Sequence, residues 1–152
     1  MNSDLTKIKA LFKSQLEKHS SLAKSTHNDR KQKLKRLLDN FLAMEQEAVD
    51  ALSLDMKKSP TESIISEILG VKAEADFAIK NLKKWMKSKR VPSPSTILFT
   101  SGWVRPEPKG SILILSPWNY PILLCLNPLI AAIAAGNTAI IKPSEFTPAS
   151  GA

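Results

Sequence analysis

The side chains best suited to chemistry gather in two short stretches, Ser116-Pro117-Trp118-Asn119 and Lys142-Pro143-Ser144-Glu145. Asn119 carries a carboxamide that both donates and accepts hydrogen bonds. Lys142 and Glu145 place a cation and an anion three residues apart. Each has a plain reading. Asn is a preferred helix N-cap, and Pro121 close behind suits a helix start. A solvated loop pair of opposite charge contributes about 0–1 kcal/mol and needs no function. The one cysteine, Cys125, sits between Leu124 and Leu126 and reads as a small buried hydrophobe rather than a reactive thiol. A single cysteine excludes a disulfide framework, and no His/Cys cluster exists for zinc, so no metal site is expected. His19 and His27 fall on polar helical or capping segments and receive no role.

The elements that must position those two stretches follow from the apolar pattern. Ile112-Leu113-Ile114-Leu115 is a continuous apolar run after Gly110, the mark of a strand buried on both faces. A helix is expected from about Pro121 to Ala135, with Pro128 forcing a kink or restart and Gly136 stopping it. Thr138-Ala139-Ile140-Ile141 then reads as a second buried strand. Strand, helix and strand make a βαβ unit, whose crossover is right-handed in nearly all proteins. Ligands of open parallel sheets bind beyond the carboxyl ends of the strands. Both polar stretches lie there, on one shared edge, and that edge is the expected site. Two parallel strands cannot cover their own faces and edges, so the chain reads as the front part of a larger enzyme.

Upstream the pattern is helical. Leu5, Ile8, Leu11/Phe12 and Leu16 recur at helical spacing from a cap at Ser3. Thr26-His27-Asn28-Asp29 resembles a capping box, followed by one stripe of Leu34, Leu37, Leu38, Phe41, Leu42, Val49 and Leu52. Ser59-Pro60 with Glu62 starts a third helix, with the stripe Ile65, Ile68, Leu69, Ala75, Ile79, Leu82 and Met86. Short connections predict three antiparallel neighbours. Thr96–Thr100 and Trp103–Arg105 flank Ser101-Gly102 and read as a β-ribbon. Three parts result: helices over 1–92, ribbon over 93–109, and the start of the βαβ unit over 110–152.

The chain has 152 residues with 43% hydrophobic and 24% charged, a globular mixture that excludes a disordered tail or a low-complexity segment. Its net charge of +8 is concentrated before the ribbon. Arg30, Lys31, Lys33, Lys35 and Arg36 form one basic run, and Lys80, Lys83, Lys84, Lys87, Lys89 and Arg90 another. Both alternate with apolar stripe residues and lack interleaved aromatics, so they read as solvated helix faces and no nucleic-acid partner is expected. Trp85 and Trp103 read as core or interface packing. The polar N-terminus is not a secretory signal, and the best apolar span, Ile112 to Ala135, is broken by three prolines and two asparagines. A cytoplasmic location and no membrane segment in this chain are the expectation.

Pro117-Trp118-Asn119-Tyr120-Pro121, Pro128, Ala134-Ala135-Gly136-Asn137-Thr138 and Lys142-Pro143-Ser144-Glu145 together resemble the aldehyde dehydrogenase superfamily. The likeness covers at least Pro106 to Pro148, and the helical N-terminus is similar to the branch that oxidises medium- to long-chain aliphatic and aromatic aldehydes. The resemblance implies an α/β fold, with N-terminal helices and a β-ribbon leading into the first βαβ unit of an incomplete Rossmann-like sheet. It implies oxidation of an aldehyde to its carboxylic acid with NAD, or alternatively NADP, through a cysteine thiohemiacetal. Asn119 would then be the oxyanion donor, Lys142 and Glu145 would hold the adenosine ribose, and Ser116 and Trp118 would line the cofactor cleft. The ribbon would help to build a homodimer. Cys125 does not match the family's nucleophile, which with the catalytic glutamate falls outside this chain. The 152 residues alone are therefore expected to be inactive, and a non-catalytic remnant or helical interaction module stays open as the alternative.

Overall fold

The structure, a computed structural model, describes residues 2–152 other than Ser95 and Leu98. Helix α1 (Asn2–Ala23) already includes Asn2, one residue before the expected cap at Ser3. Helix α2 (His27–Ala43) opens on the expected capping box: Thr26 Oγ1 accepts from the Asp29 amide at 3.3 Å while the Asp29 carboxylate accepts from the Thr26 amide at 2.8 Å. The stripe that follows does not run through one helix. Met44, at φ −101° and ψ 17°, breaks the chain into α2 and α3 (Glu45–Met56). Ser59 caps the next start, accepting from the Glu62 amide at 3.2 Å with Pro60 in the first turn.

That third helix corrects its own predicted stripe. It comprises α4 (Pro60–Ser63), a π-turn (Ile64–Ile68) and α5 (Leu69–Trp85). A π-turn inserts one extra residue and rotates everything after it around the axis. The buried face is therefore Ile68, Val71, Ala75, Ala78 and Leu82, while Ile65 and Leu69, expected inward, are exposed. The π-turn also carries Glu67 to a fully buried position.

Helices α2, α3, α5 and α6 (Leu123–Ala135) contribute the core, built on Leu34, Leu52, Leu82 and Ile130, each 0% exposed. Helix α1 does not join them as an antiparallel neighbour. It lies against the parallel strands β3 (Ser111–Leu115) and β4 (Thr138–Lys142), and its stripe of Leu5, Ile8, Leu11, Phe12 and Leu16 faces solvent. A helix repeat identifies an apolar face but not what covers it.

The ribbon is displaced from its predicted place. Strand β1 (Lys89–Val91) pairs antiparallel with β2 (Gly102–Val104), with Val91 opposite Gly102. Thr96, Ile97 and Phe99 belong to turns and bends and Thr100 to irregular chain rather than a strand; Phe99 adopts φ 61°, which no strand accommodates. Leu98 of the expected strand and Ser95 of the expected ribbon segment (93–109) lie outside the described residues. At Gly102 a Cβ would come within 2.9 Å of the Val91 side chain and 3.3 Å of its carbonyl, so the pairing itself demands glycine. Trp103 and Trp85 are not core residues: Trp103 is exposed on β2, and Trp85 meets Phe77 edge-to-face at 5.6 Å.

The βαβ unit forms as expected, Ser111 pairing with Thr138 through Leu115 with Lys142. Only one face of β3 is covered. Ile114 is buried, whereas Leu113 and Leu115 are 61% and 67% exposed, so the expectation of burial on both faces fails within these residues. Pro128 sits inside α6 without ending it. Gly136 closes α6 at φ 84° in a Schellman arrangement: its amide donates to Ile133, and the Asn137 amide donates to Ala132. Arg30 completes this end. Its guanidinium is buried and donates to the Ala134 carbonyl at 3.0 Å and to Ser25 Oγ at 2.9 Å. Arg30 therefore does not belong to the solvated basic face; a cation at a helix C-terminus meets the unsatisfied carbonyls there.

Asp55 performs the complementary task after β4. Its carboxylate accepts from the Ala149 amide at 3.1 Å, and from the Ser150 amide and hydroxyl at 2.7 Å each. Partial burial pushes its pKa up, but the Ser150 and Ala149 donors outweigh this and hold it below the ordinary carboxylate range.

Two outcomes are expected. Gly136→Ala places a side chain at a positive φ and a Cβ 2.5 Å from the buried Arg30 guanidinium, so thermal or urea unfolding of the chain should show a loss of about 2 kcal/mol. A depressed folded-state pKa adds stability above the ordinary Asp value and loses it as the pH falls through the folded one. Asp55→Asn should therefore lower stability at neutral pH and flatten the decline between about pH 5 and pH 3 in a pH series of unfolding midpoints.

Candidate functional site

Both polar stretches lie at one sheet edge because the ladder runs one residue past the strands: the Ser116 amide donates to the Lys142 carbonyl at 3.0 Å. From there residues 116–121 form a short outward loop. Ser116 is buried at its base, and its hydroxyl donates to the Pro121 carbonyl at 3.1 Å, drawing the two ends together. Trp118, Asn119 and Tyr120 project from the rim, exposed to solvent.

The Asn119 carboxamide has no hydrogen-bond partner among the described residues. The capping explanation for this residue fails, since α6 begins only at Leu123 and its first amides are held by another group. That group is Glu67, which sequence reasoning missed. Glu67 Oε2 accepts from the Ile122 amide at 2.9 Å and from the Leu123 amide at 3.2 Å. A carboxylate at a helix N-terminus satisfies orphan donors and meets the positive end of the dipole. Its other oxygen is ion-paired with Lys58 Nζ, itself only 7% exposed. Lys58 also donates to the Asn119 carbonyl at 3.3 Å, and its ammonium lies 4.2 Å from the centre of the Tyr120 ring. The loop is thus gripped from beneath at residues 119, 120, 122 and 123. One signal was available in the sequence: a glutamate among Ile64, Ile65, Ile68 and Leu69 is anomalous on a helix that faces a core.

On the neighbouring loop, Lys142 and Glu145 are ion-paired with each other, and both are more than half exposed. The Lys142 ammonium, bonded to the Glu145 carboxylate, holds that carboxylate below its ordinary range. Ser144 is buried, and its hydroxyl accepts from the Phe146 amide at 3.2 Å, shaping the turn. Asp55 fixes the following turn, so the loop is anchored on both sides. Cys125 is partly buried, and desolvation pushes its thiol pKa up, which suits an unreactive packing residue. It lines an apolar groove of about 680 Å³ together with Phe41, Met44, Ile122 and Ile141. Among the described residues no group of His, Cys, Asp and Glu could hold a metal, and no helix is long and apolar enough to cross a membrane.

Residues 1–152 match the model described as the aldehyde dehydrogenase family. The chain is 41% identical over 140 residues to the 4,4'-diaponeurosporen-aldehyde dehydrogenase of Staphylococcus aureus, covering 92% of this chain and 29% of that protein. It is 46% identical over 98 residues to human aldehyde dehydrogenase family 3 member B1, covering 64% of this chain and 21% of that protein. The chain therefore spans less than a third of the length of these relatives. Its fold superposes on the substrate-bound AldH of Staphylococcus aureus with a TM-score of 0.90 at 38% identity, over 94% of this chain and 31% of that one. With the motifs falling on two adjacent loops of a parallel βαβ unit and the whole length matched, the chain belongs to the aldehyde dehydrogenase family.

Proposed function

We propose that these residues form the front of an enzyme that oxidises an aldehyde, aliphatic of medium to long chain or aromatic, to its carboxylic acid. Within it Asn119 is the oxyanion donor. The observation that carries this reading is a carboxamide left without a partner on a loop whose backbone is secured at both ends. A donor that is already positioned and makes no competing bond loses nothing to reorganisation as charge develops on the aldehyde oxygen.

The adjoining loop suits a dinucleotide. Vicinal ribose hydroxyls need one acceptor and one donor, and Glu145 and Lys142 offer both from exposed positions at the carboxyl edge of the sheet. NAD is the first choice, because the Glu145 carboxylate would repel a 2′-phosphate, and NADP is the alternative, because Lys142 would attract one. When bound, the nicotinamide accepts the hydride that the oxidation releases. Trp118, exposed beside Asn119, lines the cleft, and Ser116 shapes it from below. The attacking thiolate comes from outside these residues, since Cys125 packs in an apolar groove where burial pushes its thiol pKa up. The same reading divides the chain into a helical part (1–92), a ribbon (93–109) and a dinucleotide-binding part (110–152), although the first ribbon strand, β1 (Lys89–Val91), already lies at the end of the helical part. The ribbon supports a homodimer through its exposed Trp103 and Val104. A cytoplasmic setting accords with the single, unpaired cysteine.

Assayed as aldehyde-dependent NAD(P)H formation by the protein expressed from the native gene, Asn119→Ala should lower turnover about 10²–10³-fold, the cost of one oxyanion donor. Unchanged turnover would remove Asn119 from the chemistry.

A further inference from the structure

Asn119 is one side chain on an exposed loop, and a donor that is to stabilise a developing charge must be held within about 0.5 Å of its working position. Its own carboxamide cannot supply that restraint without ceasing to be free. The restraint comes through the backbone. Lys58 Nζ donates to the Asn119 carbonyl at 3.3 Å and rests 4.2 Å from the centre of the Tyr120 ring, while Glu67, paired with Lys58, takes the Ile122 and Leu123 amides. The ion pair thus bridges the exposed stretch of the loop to the first turn of α6. Both side chains are more than nine-tenths buried, so water does not compete for these bonds.

We propose that Lys58 and Glu67 act as a positioning pair for the oxyanion donor, setting the orientation of the Asn119 carboxamide through its backbone carbonyl. The inference rests on the oxyanion reading of Asn119 and goes beyond it, because it predicts that two residues on α4's N-terminal approach and the π-turn govern turnover without touching the reactants. A purely structural pair would lower the amount of folded enzyme. A positioning pair lowers kcat of the folded enzyme and does so only while Asn119 is present.

The test is a double-mutant cycle on the enzyme expressed from the native gene. It uses Lys58→Met, Lys58→Arg, Glu67→Gln and Asn119→Ala, with kcat and the KM for NAD measured on the folded fraction. Lys58→Met should lower kcat about 10- to 100-fold with the KM for NAD changed less than about threefold, and Lys58→Arg should recover most of the loss. Placed on Asn119→Ala, Lys58→Met should change kcat less than about twofold, because the residue it positions is already gone. Equal losses in the two backgrounds would overturn the positioning role, as would a loss confined to KM. If Lys58→Met does not fold, Glu67→Gln, which keeps an acceptor for the α6 amides, answers the same question in the same two backgrounds. Normal activity of Asn119→Ala would sink the oxyanion reading and this one together. A normal Lys58→Met beside an impaired Asn119→Ala would sink this one alone.

Discussion

A lysine and a glutamate buried side by side each lose several kcal/mol of hydration, and their mutual attraction offsets this only when every remaining donor and acceptor is used. The Lys58–Glu67 pair meets that condition by taking its further partners from one place. The carboxylate takes two amides at the start of α6, and the ammonium takes the Asn119 carbonyl and the Tyr120 ring. Without the loop the pair would be buried and unsatisfied; without the pair the first turn of α6 would lack its cap. Breaking such a buried pair from one side typically costs about 3–5 kcal/mol. The geometry of the candidate loop and the first turn of α6 are therefore held by the same ion pair.

The rest of the unit follows the same logic of charged side chains closing backbone ends. Arg30 takes a carbonyl at the C-terminus of α6, Glu67 takes amides at its N-terminus, and Asp55 takes the amides of the turn beyond β4. Each reaches across the chain from the helical segment to the βαβ segment. The two halves, so different in composition, are joined by polar contacts at the ends of elements as well as by the shared core of Leu34, Leu82 and Ile130.

Much of this was legible in the sequence. The capping box at Thr26, the Ser59-Pro60 start, the parallel strands and the Gly136 stop each rest on local chemistry that a few neighbouring residues determine. The misses share a different cause. The π-turn shifts the inward face of α5 and goes with the burial of Glu67, and no apolar repeat encodes either. The β1 strand, Lys89-Arg90-Val91, is exposed and carries no alternating pattern, so Ile97 and Phe99 looked the better strand. Of the candidate site, the sheet edge and the side chains proposed there were legible in motif and topology. Lys58 and Glu67 were not, since their partners lie 61 and 55 residues away.

That separation has a consequence for how the chain is made. On the ribosome, Glu67 leaves the exit tunnel well before Ile122 and Leu123 have been synthesised. For that interval the nascent helix presents its carboxylate to water, and the apolar side chains around it have no lid. The ion pair becomes dry only when the start of α6 arrives to cap it. Emergence of residue 123 from the tunnel, later than its synthesis, is therefore the earliest moment at which the pair can be sheltered from water.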